Sequence, residues 1–185
     1  MKIRTVLLMC VLIGGAGCAS NASKLPDLPV NANSPYQLGA GDSLKITVFG
    51  EEELSGVYNV TDTGGVIMPL IGNVPAMGLT LPELQRHLTE QLNARAVKSP
   101  DVTVQIAAYR PFFILGEVKN PGSYPYVPEM TVLTAVAIAG GFTFRAAEDE
   151  VSVTRKNGEA AREARAGRDA RVMPGDVVYV FERHF

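Results

Sequence analysis

The stretch Gly39-Ala40-Gly41-Asp42-Ser43-Leu44-Lys45-Ile46-Thr47-Val48 lies near the start of the ordered part of the chain, which we expect to begin at Tyr36. A shorter copy recurs as Pro174-Gly175-Asp176-Val177-Val178-Tyr179-Val180. In both copies a Gly-Asp pair precedes alternating apolar and polar residues, which is the period of a half-buried strand. An aspartate in such a turn accepts hydrogen bonds from backbone N–H groups just before it. We therefore predict that Gly41-Asp42 and Gly175-Asp176 are structural turns and that neither aspartate is catalytic.

Downstream of the first copy, the sequence alternates between strand patterns and one helix pattern. Thr80-Leu81-Pro82-Glu83 has the form of a capping box, and leucines follow it at helical spacing. Asp62-Thr63-Gly64-Gly65 is a turn between two strand candidates. The pattern predicts a helix at 81–94 and strands at 44–48, 58–60, 66–71 and 102–106.

A second module starts near Pro111, and its turns carry most of its signal. Gly116 follows a strand beginning at Phe112, and Pro121-Gly122 forms the next turn. Gly140-Gly141 ends a short helix at 131–139, where a left-handed residue is needed. A strand at 151–154 leads into Asn157-Gly158, a strong hairpin signal. Residues 159–170 have a helical composition after this hairpin turn, so helix and returning strand both stay open.

The amino terminus has the order of a secretory signal. Lys2 and Arg4 precede an apolar run that is too short to span a bilayer, and small residues follow at 14–17. Cleavage before Cys18 would make this cysteine the new terminus, as in bacterial lipoproteins, and we predict that it is lipidated. Position 19 is Ala rather than Asp, which by resemblance to other bacterial lipoproteins favours the outer membrane. Residues 19–35 are rich in Ser, Asn and Pro and predict a flexible tether.

The composition excludes several classes of function. The formal net charge is −2, so the chain is a poor candidate for binding nucleic acid. Its only histidines, His87 and His184, lie far apart without cysteine partners, so no metal spacing is present. Phosphate-loop, dinucleotide and serine-hydrolase motifs are absent from the sequence. We therefore predict no metal, no cofactor and no enzymatic activity.

One basic pattern remains as a candidate site. Arg162, Arg165, Arg168 and Arg171 recur at every third residue, and guanidinium groups pair well with carboxylate or phosphate. The first three are candidates to face an anionic polymer. Glu159, Glu163 and Asp169 lie among them, so a self-compensating solvated surface is the favoured alternative.

Taken in order, these segments resemble the bacterial polysaccharide export family, the outer-membrane lipoproteins of capsule and exopolysaccharide secretion. The matching stretches of the first module are Tyr36–Val48, Val60–Gly72, Gly78–Leu84 and Ser99–Val104. The second module is similar to the soluble-ligand-binding β-grasp (SLBB) domain through Gly116–Tyr124, Thr131–Gly141 and Pro174–Val180. The resemblance implies an α+β protein with a signal peptide at 1–17, a lipidated tether at 18–35, an export domain at 36–108 and an SLBB domain at 109–185.

The resemblance also implies a role. Members of the family form a homo-oligomeric ring, anchored to the outer membrane by lipid and facing the periplasm, through which finished polysaccharide passes. They dock on an inner-membrane polysaccharide co-polymerase. This chain stops five residues after Val180, so it resembles a minimal class that relies on a separate outer-membrane β-barrel for the last step.

Two alternatives stay open. One is a self-sufficient outer-membrane pore, which would need a membrane-spanning segment that the sequence does not display. The other is a monomeric lipoprotein whose β-grasp module binds a glycan. The absence of Trp counts mildly against a glycan site of the aromatic-lined kind.

Overall fold

The computed structural model describes residues 24–29, 35–95, 97–157 and 160–183. Within them the chain folds around two separate hydrophobic cores. We call the residues around the first core, 36–106, the first domain, and those around the second core, 112–180, the second domain. The α+β class is confirmed, while the predicted boundary between residues 108 and 109 stays a prediction.

The first domain is built on a three-stranded antiparallel sheet. Its strands are β1 (Ser43–Val48), β2 (Gly56–Asn59) and β5 (Val102–Ala108), in the order β2-β1-β5. Leu44, Ile46 and Val48 alternate with exposed residues along β1 and enter the core. A 3-10 turn at Glu52–Leu54 joins β1 to β2.

A hairpin and a helix complete this domain. β3 (Gly65–Met68) pairs with β4 (Gly72–Pro75). α1 (Leu81–Arg95) buries Leu84, Leu88 and Leu92, as its leucine spacing predicts. At its start the Thr80 N–H donates to Glu83 Oε2 at 2.8 Å, which is one half of the predicted capping box, and the Thr80 hydroxyl donates to the same oxygen.

The second domain is a mixed five-stranded sheet with one helix. The strands are β6 (Phe112–Gly116), β7 (Gly122–Tyr124), β8 (Ala146–Asn157), β9 (Ala160–Ala166) and β10 (Val177–Glu182), in the order β7-β6-β10-β8-β9. β10 runs parallel to β6, and the other pairs are antiparallel. The first and last strands are thus parallel neighbours in the middle of the sheet, as in a β-grasp domain.

α2 (Val132–Ile138) covers one face of this sheet through Val132, Ala135 and Val136. Thr131 caps the helix with a complete capping box to Thr134, and the helix ends before Gly140 as predicted. The open question at 159–170 is answered by β9, a returning strand.

Part of the predicted flexible tether contacts the second domain. Asp27 forms a parallel bridge with Arg165, and Leu28 packs against the second core. Backbone hydrogen bonds join Leu28 N–H to the Arg165 carbonyl at 2.7 Å and Arg165 N–H to the Pro26 carbonyl at 2.8 Å. Residues 26–28 therefore lie along the edge of β9.

Candidate functional site at the junction of the two domains

The first Gly-Asp turn buries a charge. Asp42 is 0% exposed, and its Oδ2 accepts a hydrogen bond from Gly39 N–H at 2.8 Å. The turn is closed by the Asp42 N–H, which donates to the Gly39 carbonyl at 3.1 Å. The carboxylate and the N–H of Asp42 thus both bond to Gly39 within the turn. A buried carboxylate is tolerated only where its charge and lone pairs are satisfied, so further donors are needed.

Arg110 and Tyr36 supply those donors. The Arg110 backbone N–H donates to Asp42 Oδ1 at 2.9 Å, and its guanidinium Nη1 to Oδ2 at 3.0 Å. The Tyr36 hydroxyl donates to the same Oδ2 at 2.6 Å. Burial raises the pKa of the Tyr36 hydroxyl far above its usual value, and the hydrogen bond to Asp42 acts in the same direction. Tyr36 is therefore held as a neutral donor.

The second Gly-Asp turn repeats the design. Asp176 is 1% exposed and accepts the Met173 N–H at 2.7 Å, which corresponds to the Gly39 contact in the first turn. Arg155 pairs with it through Nε at 3.0 Å and Nη2 at 2.8 Å. The internal repeat seen in the sequence thus has one structural meaning: each copy is a buried aspartate turn neutralised by an arginine.

Both turns meet on the residues that join the two domains. The Gly175 N–H donates to the Pro111 carbonyl at 3.0 Å, and the Phe113 N–H donates to the Asp176 carbonyl at 2.9 Å. The Arg110 side chain crosses Gly175, where an added Cβ would lie 2.7 Å from Arg110 Nε, and φ at Gly175 is 85°. Glycine is required there by both the backbone and the arginine. We call Asp42, Arg110, Gly175 and Asp176 the junction cluster.

Three tyrosines extend this junction. The Tyr36 and Tyr109 rings pack edge to face at 5.1 Å, and the Tyr109 and Tyr126 rings do so at 5.3 Å. The row, which we call the tyrosine row, begins in the first domain, crosses the connection and ends in the second domain. Each such pair contributes about 0.5–1.5 kcal/mol beyond its buried area. The row therefore connects the two domains through two aromatic contacts.

The remaining predicted turns lie at two other places in the second domain. Gly116, with φ of 84°, ends β6 where an added Cβ would overlap the Val180 carbonyl of β10. The turn that contains Pro121 and Gly122 lies against the end of α2, where Asn120 N–H donates to Ala139 at 2.9 Å and Lys119 N–H to Gly141 at 3.0 Å. Gly140 leaves room for this contact, since its Cβ would lie 2.7 Å from Asn120 Nδ2.

The predicted basic row is spread over both sides of β9 and the turn that follows. Residues three apart share one side of a helix, but on a strand Arg162 and Arg165 point to opposite faces. Arg165 pairs with Asp27 at 2.7 Å, and Arg168 pairs with Glu148 at 2.8 Å and Asp149 at 3.1 Å. Arg162 is exposed and lies opposite Arg155 in the β8–β9 register. The carboxylates that pair with Arg165 and Arg168 thus come from other parts of the chain, not from the acidic residues that lie between the arginines in the sequence.

Other predictions concern lipid, metal and membrane. Cys18 lies outside the described residues. Among the residues that the structure describes, no three or more His, Cys, Asp or Glu side chains group in a way that could hold a metal ion. The helices in this described part are all too short or too polar to traverse a bilayer.

The sequence predicts the two Gly-Asp turns but not the side chains that complete them. Arg110, Arg155 and the three tyrosines are far from the aspartates along the chain. One signal was available, because a buried aspartate needs a cationic partner, and Arg110 lies beside Pro111 where the modules join. The sequence alone does not say which arginine reaches which turn.

The fold and the junction define a class of protein: an α+β chain in which a domain built on a three-stranded antiparallel sheet is joined through the junction cluster to a β-grasp second domain. The family model described as "Polysaccharide biosynthesis/export protein" matches residues 30–107, and the "SLBB domain" model matches residues 111–167. The chain therefore carries a polysaccharide export domain followed by an SLBB domain, as these two family models define them.

Curated relatives agree with these matches. The "Exopolysaccharide production protein ExoF" of Rhizobium meliloti is 34% identical over 122 residues, covering 57% of this chain and 28% of the relative. The "EPS I polysaccharide export outer membrane protein EpsA" of Ralstonia solanacearum is 35% identical over 150 residues, covering 66% of this chain and 39% of the relative. The "Polysialic acid transport protein KpsD" of Escherichia coli is 26% identical over 129 residues, covering 69% of this chain and 23% of the relative. The matched regions thus span well under half of each relative, and these names describe production, export or transport.

Proposed function

We propose that this chain is a component of a capsule or exopolysaccharide secretion system that assembles with copies of itself into a periplasmic conduit. In this proposal Cys18 carries the lipid that holds it at the outer membrane, and an inner-membrane co-polymerase is its docking partner. The observation that carries the proposal is the order of the two family domains, 30–107 and then 111–167, in a chain related to export proteins.

The junction supports the conduit form of this proposal. A ring closes only if every subunit presents its contact surfaces at the same angle. Two domains of one chain commonly move relative to each other unless the interface between them is large and hydrophobic. Here the junction cluster and the tyrosine row join the domains through a buried ion pair and two aromatic contacts. Such a junction suits a subunit of fixed curvature.

Deleting the gene in its source bacterium tests the export role. We expect loss of surface or secreted polysaccharide, with polymer retained inside the cell and restored by the wild-type gene. A second variant, Cys18→Ser, tests the lipid anchor separately. It should lose incorporation of labelled palmitate and its outer-membrane fractionation. Unchanged surface polysaccharide in the deletion strain would remove the export proposal, whatever the lipid result.

The conduit role needs a second measurement. Full-length protein extracted in mild detergent should sediment and scatter light as a particle of many subunits, with a ring visible by electron microscopy. A lone monomer, alone or with the co-polymerase added, contradicts the conduit. A glycan-binding monomer would then be tested by titration with the purified polymer.

A further inference from the structure

The second domain exposes an apolar strip on the sheet face opposite α2. Phe113 and Leu115 on β6 and Tyr179 on β10 are 41%, 45% and 42% exposed. They alternate with Phe112, Ile114 and Val178, which enter the core beneath α2. Phe113 lies opposite Val177 and Leu115 opposite Tyr179 in the parallel register, so these side chains form one continuous strip. We call Phe113, Leu115, Val177 and Tyr179 the sheet strip.

The strip lies on the parallel strand pair of a mixed sheet. Sheets made only of parallel strands occur almost always with both faces covered. β6 and β10 are the parallel pair of this sheet, and α2 covers one of their faces. Farther along the outer face, β8 and β9 carry polar residues such as Thr154 and Glu163, which suit exposure to water. On this outer face the exposed large apolar side chains are therefore those of β6 and β10.

A second apolar surface lies on the other side of the same domain. Leu133 and Ile138 on α2 are 49% and 46% exposed, and Thr134 and Ala137 between them are also exposed. This small, weakly polar helix surface points away from the sheet. We call Leu133, Thr134, Ala137 and Ile138 the helix face.

We propose that the sheet strip of one subunit packs against the helix face of the next subunit. The inference rests on the proposed function, because it names the surfaces through which copies of this chain associate. The two surfaces lie on opposite sides of one domain, so each contact leaves a free strip at one end and a free helix face at the other. Such a head-to-tail contact repeats until the rotation closes a ring. A two-fold contact between two strips would stop at a dimer and leave both helix faces uncovered.

The exposed area fits an interface core. A covered aromatic side chain buries about 150–250 Å², so Phe113 and Tyr179 at 41% and 42% exposure offer roughly 120–210 Å², and Leu115 adds to this area. A stable interface buries about 800 Å² on each partner, with an apolar core inside a polar rim. The strip thus supplies roughly a quarter of the required surface, as an apolar core.

Cysteine cross-linking in the full-length chain tests the pairing. The sequence contains Cys10 and Cys18, so the wild-type chain under the same oxidant gives the background. Two differently tagged variants, Leu115→Cys and Ile138→Cys, are expressed together and also separately. We expect a disulfide-linked product with both tags from the mixed sample, well above what either variant gives alone.

Each other outcome overturns the inference in a different way. Linkage of Leu115→Cys to itself means a two-fold contact between strips, and linkage of Ile138→Cys to itself means a contact between helix faces. No linkage in a particle of high mass rejects these surfaces but leaves the conduit proposal standing. A wild-type chain that is monomeric by light scattering contradicts both the proposed contact and the conduit proposal.

A charge placed on the strip gives an independent measurement. Leu115→Glu should convert the high-mass particle to monomer while the circular dichroism spectrum stays that of the wild type. The matched control is Thr103→Glu, an exposed strand position in β5 of the first domain, which should keep the high mass. Equal loss of assembly in both variants, or in neither, contradicts the inference.

Discussion

Asp42 has its carboxylate wholly removed from water, and this carboxylate accepts hydrogen bonds from the first domain and from the residues that connect it to the second. Its two oxygens accept hydrogen bonds from Gly39, Tyr36 and Arg110. Such a carboxylate contributes little net stability when all partners are present, but removing one partner leaves the others unsatisfied. The free-energy cost of a substitution at Asp42 is thus set mainly by the buried donors that it leaves without an acceptor.

We expect Asp42→Ala to lower the free energy of unfolding by about 3 kcal/mol, because the Arg110 guanidinium and two N–H groups lose their acceptor in a buried place. Urea unfolding followed by circular dichroism measures the change. Asp27→Ala is the matched control, since its ion pair with Arg165 is exposed and should contribute less than about 1 kcal/mol. Equal effects of the two substitutions would contradict the role given to Asp42.

Tyr36 predicts a dependence on alkaline pH. Its folded pKa is raised above the usual value of 10.0 by burial. The stability linked to this group is therefore fully present below about pH 10 and is lost as the pH rises above it, because only the unfolded chain ionises readily there. Tyr36→Phe should lose about 1 kcal/mol at neutral pH through the missing hydrogen bond. Between about pH 9 and pH 11 its Tm should fall less steeply than that of the wild type. Parallel Tm profiles would argue against a buried, neutral Tyr36.

Among the strands, the contact of β6 with β10 depends on one glycine. Gly116 has φ of 84°, and any Cβ there would overlap the Val180 carbonyl, which also accepts the Glu117 N–H at 3.0 Å. This is the central parallel pairing of the second domain. A side chain at this position would separate the two strands or twist the end of β6.

Gly116→Ala should therefore destabilise the protein by at least about 2 kcal/mol, combining a strained backbone with the overlap at Val180. Thermal unfolding followed by circular dichroism measures this. Gly122→Ala is a control in a neighbouring strand, since its Cβ would meet Tyr124 Cε2 at an ordinary 3.8 Å. We expect this control to change stability by less than about 1 kcal/mol. If both variants have the Tm of the wild type, the close approach of Gly116 to Val180 does not determine stability.

The sequence predicts elements well where one face is clearly buried and poorly where charge or a turn hides the pattern. β1, α1 and α2 follow their apolar periods closely. The predicted strand at 66–71 was wrong in its second half, because Leu70 turns with φ of 67° between β3 and β4. β8 begins at Ala146, five residues before the prediction, because its acidic start has no alternating pattern.

The domain junction was predictable only in part, because its halves come from distant parts of the chain. The repeated Gly-Asp motif marks both turns, and the structure adds that both rest on residues 110–113. Pairing across 68 residues between Asp42 and Arg110 depends on the relative placement of two domains. Local periodicity does not contain that information.

The tyrosine row leads to a prediction about the two domains together. Tyr109 contacts Tyr36 on one side and Tyr126 on the other, so its two aromatic pairs couple the domains by about 1–3 kcal/mol. Domains coupled in this way unfold closer together in temperature than they would alone. Tyr109→Ala should therefore separate the calorimetric unfolding into two transitions that lie farther apart than in the wild type. Phe49→Ala, an exposed aromatic of the first domain, should leave the separation unchanged. A uniform shift of both transitions in Tyr109→Ala would mean that the row stabilises each domain separately and does not couple them.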